Sequence, residues 1–152
     1  MSDVKQMTVT LTQQKDYQFL VDFGGMMPSL QTDEGAPLGT DTGPNPEQML
    51  AAAVANCLSA SLLFAMRKYK NQPDPLRTTA TITMTRNEQG RIRVGNLDVE
   101  LNLAADAAEL QQVERILAQF EDFCVVTQSV RSGIAVSVKV RDKAGQLLHS
   151  AG

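Results

Sequence analysis

One long apolar segment, residues 49–66, most constrains how this chain can fold. The residues before it are typical of a helix start: Asn45 is a suitable N-cap, Pro46 suits the first helical position, and Gln48 can complete a capping box. We therefore predict one long helix over residues 46–69. Its first turns are apolar on nearly all sides, so we expect protein to surround it.

Polar residues make this segment a poor membrane span. Asn56, Ser59 and Ser61 interrupt it, and Arg67 and Lys68 follow it at once. We therefore predict a buried helix of a globular domain and no contact with a membrane.

Patterns on either side of this helix predict strands and shorter helices. Alternating apolar and polar residues predict strands, and apolar residues at helical spacing predict helices. The predicted strands are 7–11 and 17–23 (a hairpin that turns at 13–16), a short one near Leu30 in the Gly- and Pro-rich loop 24–46, then 78–86, 92–103 and 134–140. The predicted helices are 104–123 and 124–131, and a polar tail covers 142–152. This order indicates an α+β fold with a largely antiparallel sheet, and the length favours a single domain, 1–152.

Composition argues against several classes of function. The formal net charge is −3, with no run of Lys or Arg, which argues against nucleic-acid and membrane-surface binding. The one histidine, His149, lies in a tail that we expect to fray, so neither a zinc site nor a Ser/His/Asp site is expected. We expect no cofactor. Residues 1–6 lack the apolar core of a signal peptide, so a cytoplasmic location is the default expectation.

The two cysteines, Cys57 and Cys124, are the residues best suited to chemistry. A permanent disulfide is not expected in a reducing compartment, and two distant thiols favour redox chemistry. The alternative for Cys57 is a buried, inert thiol, although polar side chains cluster around it. Cys124 is either a packing residue or a thiol whose ionised form the first turn of a helix favours.

Glu47 is the third candidate site residue. Its simplest role is an acid that stabilises the first turn of the long helix. The helix rises roughly 15 Å between Glu47 and Cys57, so the two cannot easily act together within one straight helix. If they do act together, Glu47 serves the site of a neighbouring subunit, which predicts a homodimer.

The sequence resembles a known family at these positions. Asn45-Pro46-Glu47-Gln48-Met49-Leu50-Ala51-Ala52-Ala53, then Cys57, then Cys124 with Ser129-Val130-Arg131 and Ile134-Ala135-Val136, is similar to the OsmC/Ohr family of organic hydroperoxide reductases. The similarity covers residues 45–140. It implies an intertwined α+β homodimer with a buried central helix, two active sites at the subunit interface, and no metal, flavin or haem.

The resemblance also implies roles for both thiols. Cys57 matches the peroxidatic cysteine, which becomes a sulfenic acid, and Cys124 matches the resolving cysteine, which forms a disulfide with it. The implied partners are an organic hydroperoxide, held in a dry pocket suited to alkyl or fatty chains, and a dithiol reductant such as a dihydrolipoyl group.

One feature departs from the family pattern. The family's peroxidases pair the glutamate with an arginine from the N-terminal region, and this chain has no arginine before Arg67. Lys5 and Lys15 do not replace a bidentate arginine, and Arg131 is the arginine nearest in sequence to a site cysteine. The alternative function is therefore an OsmC-like protein that binds an apolar ligand with little or no peroxidase activity.

Overall fold

A computed structural model of the protein describes residues 4–152. The chain forms two compact units, one that extends to Met49 and one from Leu50 to Gly152. Strands, one long helix and short helices alternate along it, so the predicted α+β class is confirmed. The prediction about a signal peptide rests partly on residues 1–3, which lie outside the described residues.

The first unit contains a three-stranded antiparallel sheet. Its strands are β1 (Thr10–Lys15), β2 (Gln18–Asp22) and β3 (Leu30–Thr32), in that order. The predicted hairpin and the short third strand are confirmed, but the first strand covers Thr10–Lys15 and not the predicted residues 7–11. The predicted turn at 13–16 is wrong, because Lys15 still pairs with Gln18 and the chain reverses at Asp16, which adopts a left-handed φ of 52°.

A buried carboxylate organises the loop after β3. Asp33 is 2% exposed, and its Oδ2 accepts hydrogen bonds from the hydroxyls of Thr40 and Thr42, each at 2.8 Å. The backbone N–H groups of the same two threonines donate to it at 3.1 and 3.2 Å. These bonds hold the pKa of Asp33 well below its usual range, although burial opposes them. The Asp33 N–H donates to the carbonyl of Pro44, which leads into the long helix.

The long helix, α1 (Pro46–Lys68), begins with the predicted capping box. The Gln48 N–H donates to Asn45 Oδ1 at 2.8 Å, and the Asn45 N–H donates to Gln48 Oε1 at 3.0 Å. Within the single chain α1 buries one face. The residues of that face are Ala51, Val54, Leu58, Leu62 and Met66. Phe64, on another face, is 74% exposed.

The length and composition of α1 alone would allow it to cross a membrane. It is the single helix of the described residues with this property. Its buried face nevertheless belongs to the same hydrophobic cluster as the strands of the second unit. A core helix of a globular domain has both features.

The second unit is built on a four-stranded sheet with the order β4-β5-β6-β7. Its strands are β4 (Arg77–Arg86), β5 (Ile92–Asn102), β6 (Ala135–Arg141) and β7 (Leu147–Ala151). The β5–β6 pair is parallel, and the other two pairs are antiparallel. Alternate residues of β5 and β6 join the core with α1, as the period of two predicts.

The predicted helix over residues 104–123 is wrong. The segment forms a 3₁₀ turn (Ala107–Glu109), a short helix α2 (Val113–Gln119) and a second 3₁₀ turn (Phe120–Phe123). The Asn71 side chain binds both the N–H and the carbonyl of Gln111, at 2.7 and 2.9 Å. Gln112 then adopts a left-handed φ of 57°. Hydrogen bonds from a distant part of the chain therefore override the local helical pattern.

The prediction of a fraying polar tail is also wrong. Residues 147–151 form β7, which pairs with β6 in antiparallel register, so that His149 lies opposite Val140. The His149 side chain is 17% exposed. Its ordered position makes it part of the structure around Cys124, described below.

Candidate thiol site

The structure brings the two cysteines together. Cys57 lies on α1 and is half-buried, whereas Cys124 is fully buried. Cys57 packs against the core cluster that contains Cys124 and contributes to the raised pKa of the Cys124 thiol, and both thiols are free. Because a half-buried thiol neighbours a fully buried one, an incoming thiol or oxidant can reach Cys57 more readily than Cys124.

Cys124 is the N-cap residue of α3 (Val125–Arg131). Burial raises the pKa of the Cys124 thiol, and the neighbouring Cys57 thiol raises it further. A hydrogen bond from Cys124 Sγ to Thr127 Oγ1, 2.9 Å long, has the opposite effect on the pKa. The raised pKa of the Cys124 thiol is opposite in direction to the effect expected of a helix start, and burial is its largest cause.

A buried ionic cluster holds the chain just before Cys124. Glu121 Oε1 accepts a hydrogen bond from Arg131 Nη2 at 2.5 Å, and Glu121 Oε2 lies 2.6 Å from His149 Nε2. The Cys124 N–H donates to the Glu121 carbonyl at 3.0 Å. Arg131 also donates to the carbonyl of Val136. Arg131 is thus engaged by Glu121 and β6, which argues against it as a substitute for the missing N-terminal arginine.

Two polar residues near Cys57, Asn56 and Ser59, are explained without a reactive thiol. Ser59 Oγ donates to the Ala55 carbonyl at 2.7 Å and lies 2.6 Å from Thr78 Oγ1 on β4. Asn56 is exposed. These two side chains therefore give no separate evidence for a reactive Cys57.

An apolar groove runs along α1 beside this site. Its volume is about 370 Å³. Its main lining residues are Ala60, Ser61, Phe64, Ile116, Phe120 and Phe123. Ser61 lies one helical turn beyond Cys57, on the same side of α1, and Phe123 directly precedes Cys124 in the chain. The groove is therefore lined by sequence neighbours of the two cysteines, although neither cysteine lines it.

Glu47 lies in the first turn of α1 and is half-buried. It belongs to the unit that ends at Met49, whereas both cysteines belong to the second unit. Its role at the site stays a prediction.

Sequence reasoning missed three residues around Cys124: Glu121, Thr127 and His149. Thr127 could have been found, because a residue three positions after a helix N-cap can reach the side chain of that cap. Nothing in the local sequence marks Glu121 or His149, since their pairing depends on β7.

Comparison with known proteins identifies the family of this chain and solved structures with a similar fold. A family model described as OsmC-like protein matches residues 39–139. The chain belongs to the OsmC-like family. The match includes both cysteines and Glu47. Comparison with curated protein sequences gives no match.

Solved structures of OsmC-like proteins share the fold. An OsmC-like protein of Vibrio cholerae, of unknown function, is 15% identical with a TM-score of 0.75, over 90% of this chain and 99% of that one. An organic hydroperoxide resistance protein of Elizabethkingia anophelis is 18% identical with a TM-score of 0.73, over 93% and 99%. The organic hydroperoxide resistance protein OhrB of Bacillus subtilis is 20% identical with a TM-score of 0.67, over 90% and 98%. At these identities the similarity establishes the fold.

Proposed function

We propose that this OsmC-like protein is a thiol-dependent peroxidase that reduces organic hydroperoxides to alcohols. The observation that carries the proposal is the pairing of a half-buried Cys57 with a fully buried Cys124. Two solved relatives named as organic hydroperoxide resistance proteins share the fold, which supports the same substrate class.

The proposed cycle begins at the more accessible sulfur. The Cys57 thiolate attacks the terminal peroxide oxygen, the O–O bond breaks, and the alkoxide takes a proton and leaves as the alcohol. Cys57 becomes a sulfenic acid. Cys124 then attacks the Cys57 sulfur, a disulfide forms, and the hydroxyl leaves as water. A dithiol, such as a dihydrolipoyl group, reduces the disulfide and is itself oxidised.

The apolar groove supports an alkyl substrate rather than hydrogen peroxide. Its walls are largely aromatic and aliphatic, and it begins one turn from Cys57 on α1. Burying an apolar chain there would be favourable by roughly 25 cal/mol per Å². A hydroperoxide with an alkyl or aryl substituent would therefore bind with its peroxide group directed toward Cys57.

We infer that the active form is a cytoplasmic homodimer. Within one chain α1 leaves apolar side chains exposed, with Phe64 at 74%, and a second copy would cover them. Glu47 would then serve the Cys57 of that second copy, as a carboxylate that orients the peroxide. Sedimentation should show a dimer at micromolar concentration, and a stable folded monomer would contradict this inference.

Reaction of the reduced protein with cumene hydroperoxide tests the peroxidase proposal. We expect two thiols to be lost per chain and mass spectrometry to locate one disulfide between Cys57 and Cys124. Loss of fewer thiols without that disulfide would exclude the two-cysteine cycle.

A second candidate is a binding protein for an apolar ligand. The absence of arginine before Arg67 favours it, as does the engagement of Arg131 by Glu121. Native mass spectrometry of the freshly purified protein would then reveal a retained ligand. Cys57 would react with hydroperoxide no faster than free cysteine, which separates the two candidates.

A further inference from the structure

Thr127 is the side chain in closest polar contact with Cys124. Both residues are 0% exposed. Cys124 Sγ donates to Thr127 Oγ1 at 2.9 Å, across the first turn of α3. A threonine hydroxyl both accepts and donates, so the same contact can reverse when the sulfur becomes a thiolate.

The unequal exposure of the two cysteines sets the direction of disulfide reduction. An incoming thiol can reach Cys57, which is half-buried, but not Cys124, which has no exposed surface. Attack on the Cys57 sulfur breaks the disulfide and expels Cys124 as the leaving group. A leaving thiolate departs faster when its pKa is lower, so whatever stabilises a Cys124 thiolate speeds this step.

We propose that the Thr127 hydroxyl stabilises the Cys124 thiolate as the leaving group when a dithiol reduces the Cys57–Cys124 disulfide. This inference rests on the proposed function, because it concerns the reductive half of that cycle. In this proposal Thr127 acts in one step of the cycle, the reduction of the disulfide.

The bonds and electrons of the step balance with the dithiol as reductant. One thiolate of the dithiol forms a bond with Cys57 Sγ, and the bond between the two cysteines breaks. Cys124 leaves with the electron pair, accepts the Thr127 hydrogen bond and later takes a proton from water. The second thiol of the dithiol then displaces Cys57, so the dithiol is oxidised by two electrons and the protein disulfide is reduced by two.

The environment of Cys124 explains why such a donor is needed. Burial and the neighbouring Cys57 both raise the pKa of the Cys124 thiol, which would make it a poor leaving group. The hydrogen bond to Thr127 lowers that pKa. A hydrogen bond to a charged group is stronger than one to a neutral group, so Thr127 favours the thiolate over the thiol.

The test compares two substitutions that separate the hydroxyl from the shape of the side chain. Thr127→Val keeps the shape without the hydroxyl, and Thr127→Ser keeps the hydroxyl. Ser129→Ala is the matched control, because the Ser129 hydroxyl lies on the same helix and donates to the Val125 carbonyl. Diamide, rather than peroxide, forms the disulfide, so the test is independent of peroxidase activity. Reduction by dithiothreitol is followed by counting thiols.

We expect Thr127→Val to slow reduction roughly threefold, while Thr127→Ser and Ser129→Ala keep the wild-type rate. In a Cys57→Ser background, the pH midpoint for ionisation of Cys124, followed by the ultraviolet absorbance of the thiolate, should rise by about one unit in Thr127→Val. If Thr127→Val does not fold, Thr127→Ala against Thr127→Ser makes the same comparison. Equal rates and equal midpoints in the Val and Ser variants would overturn the proposal. The diamide-formed disulfide could be reduced at the expected rates while peroxide forms no disulfide. That result would overturn the peroxidase function and leave the role of Thr127 standing.

Discussion

His149 Nε2 lies 2.6 Å from Glu121 Oε2, so the last strand is joined to the turn that precedes Cys124. The other oxygen of Glu121 binds Arg131 of α3. The His149 ring also packs edge-on against Phe120, with centroids 5.6 Å apart. One carboxylate therefore connects β7 and α3 beside the buried cysteine.

Replacing Glu121 with Gln should destabilise the second unit. The substitution removes the charge that Arg131 and His149 share and leaves a poorly exposed guanidinium without its carboxylate. We expect a loss of about 2 kcal/mol, since the Glu121 side chain is only 11% exposed. Glu100→Gln is the control, because Glu100 pairs with Arg141 but is 41% exposed, and its loss should cost less than about 1 kcal/mol. Urea unfolding at pH 7 measures both, and equal losses would contradict this account.

Asp33 should make stability depend on pH under acidic conditions. Its pKa is lowered in the folded protein, chiefly by the Thr40 hydroxyl. A lowered carboxylate pKa stabilises the fold above the unfolded pKa, about 3.9, and this contribution disappears as the pH falls toward the folded pKa. We expect Asp33→Asn to lower the melting temperature at pH 7, and the difference from wild type to shrink below about pH 4.

The control for this prediction is Asp41→Asn. Asp41 lies in the same loop but is exposed, and it accepts a hydrogen bond from the Ala36 N–H. Its substitution should lower the melting temperature less at pH 7. A difference between Asp33→Asn and wild type that stays constant from pH 7 to pH 3 would show that the charge of Asp33 is not what stabilises the loop.

The elements predicted correctly are those whose signals are local. The start of α1 depends on Asn45 and Gln48, which are neighbours in sequence and form the capping box themselves. The alternation of β6 likewise places Val136, Val138 and Val140 in the core. The break at Gln112 was not predictable in this way, because it follows the hydrogen bonds between Gln111 and Asn71, which are 40 residues apart in the chain.

The residues of the candidate site likewise differ in whether the sequence could predict them. Cys57 and Cys124 stand out because the chain has only 2 cysteines, and their catalytic roles stay predictions. Thr127, Glu121 and His149 are ordinary residue types that acquire a role only through burial beside Cys124. The tail that contains His149 looked irregular because its residues are mostly polar, although it pairs with the preceding strand β6.

Filling the groove should discriminate between substrates by size. Ala60 is an exposed residue of α1 that lines the groove. Ala60→Phe should lower the rate of Cys57 oxidation by cumene hydroperoxide about tenfold, a typical effect of steric exclusion from an apolar pocket. Hydrogen peroxide needs no groove, so its rate with the same variant serves as the control. Stopped-flow thiol oxidation measures both, and equal reductions for the two peroxides would show that the groove does not bind the substrate.

Single serine substitutions should separate the roles of the two cysteines. Cys57→Ser should abolish peroxide consumption, because it removes the attacking sulfur. Cys124→Ser should retain one rapid oxidation, since the first step needs only Cys57, and should accumulate a sulfenic acid that dimedone traps and excess peroxide over-oxidises. Mass spectrometry of the dimedone adduct locates the oxidised residue, and wild type under the same conditions should stop at the disulfide. Burial raises the pKa of the Cys124 thiol, which disfavours Cys124 as the attacking thiolate and supports this order. A sulfenic acid on Cys124 with Cys57 dispensable would reverse the assignment.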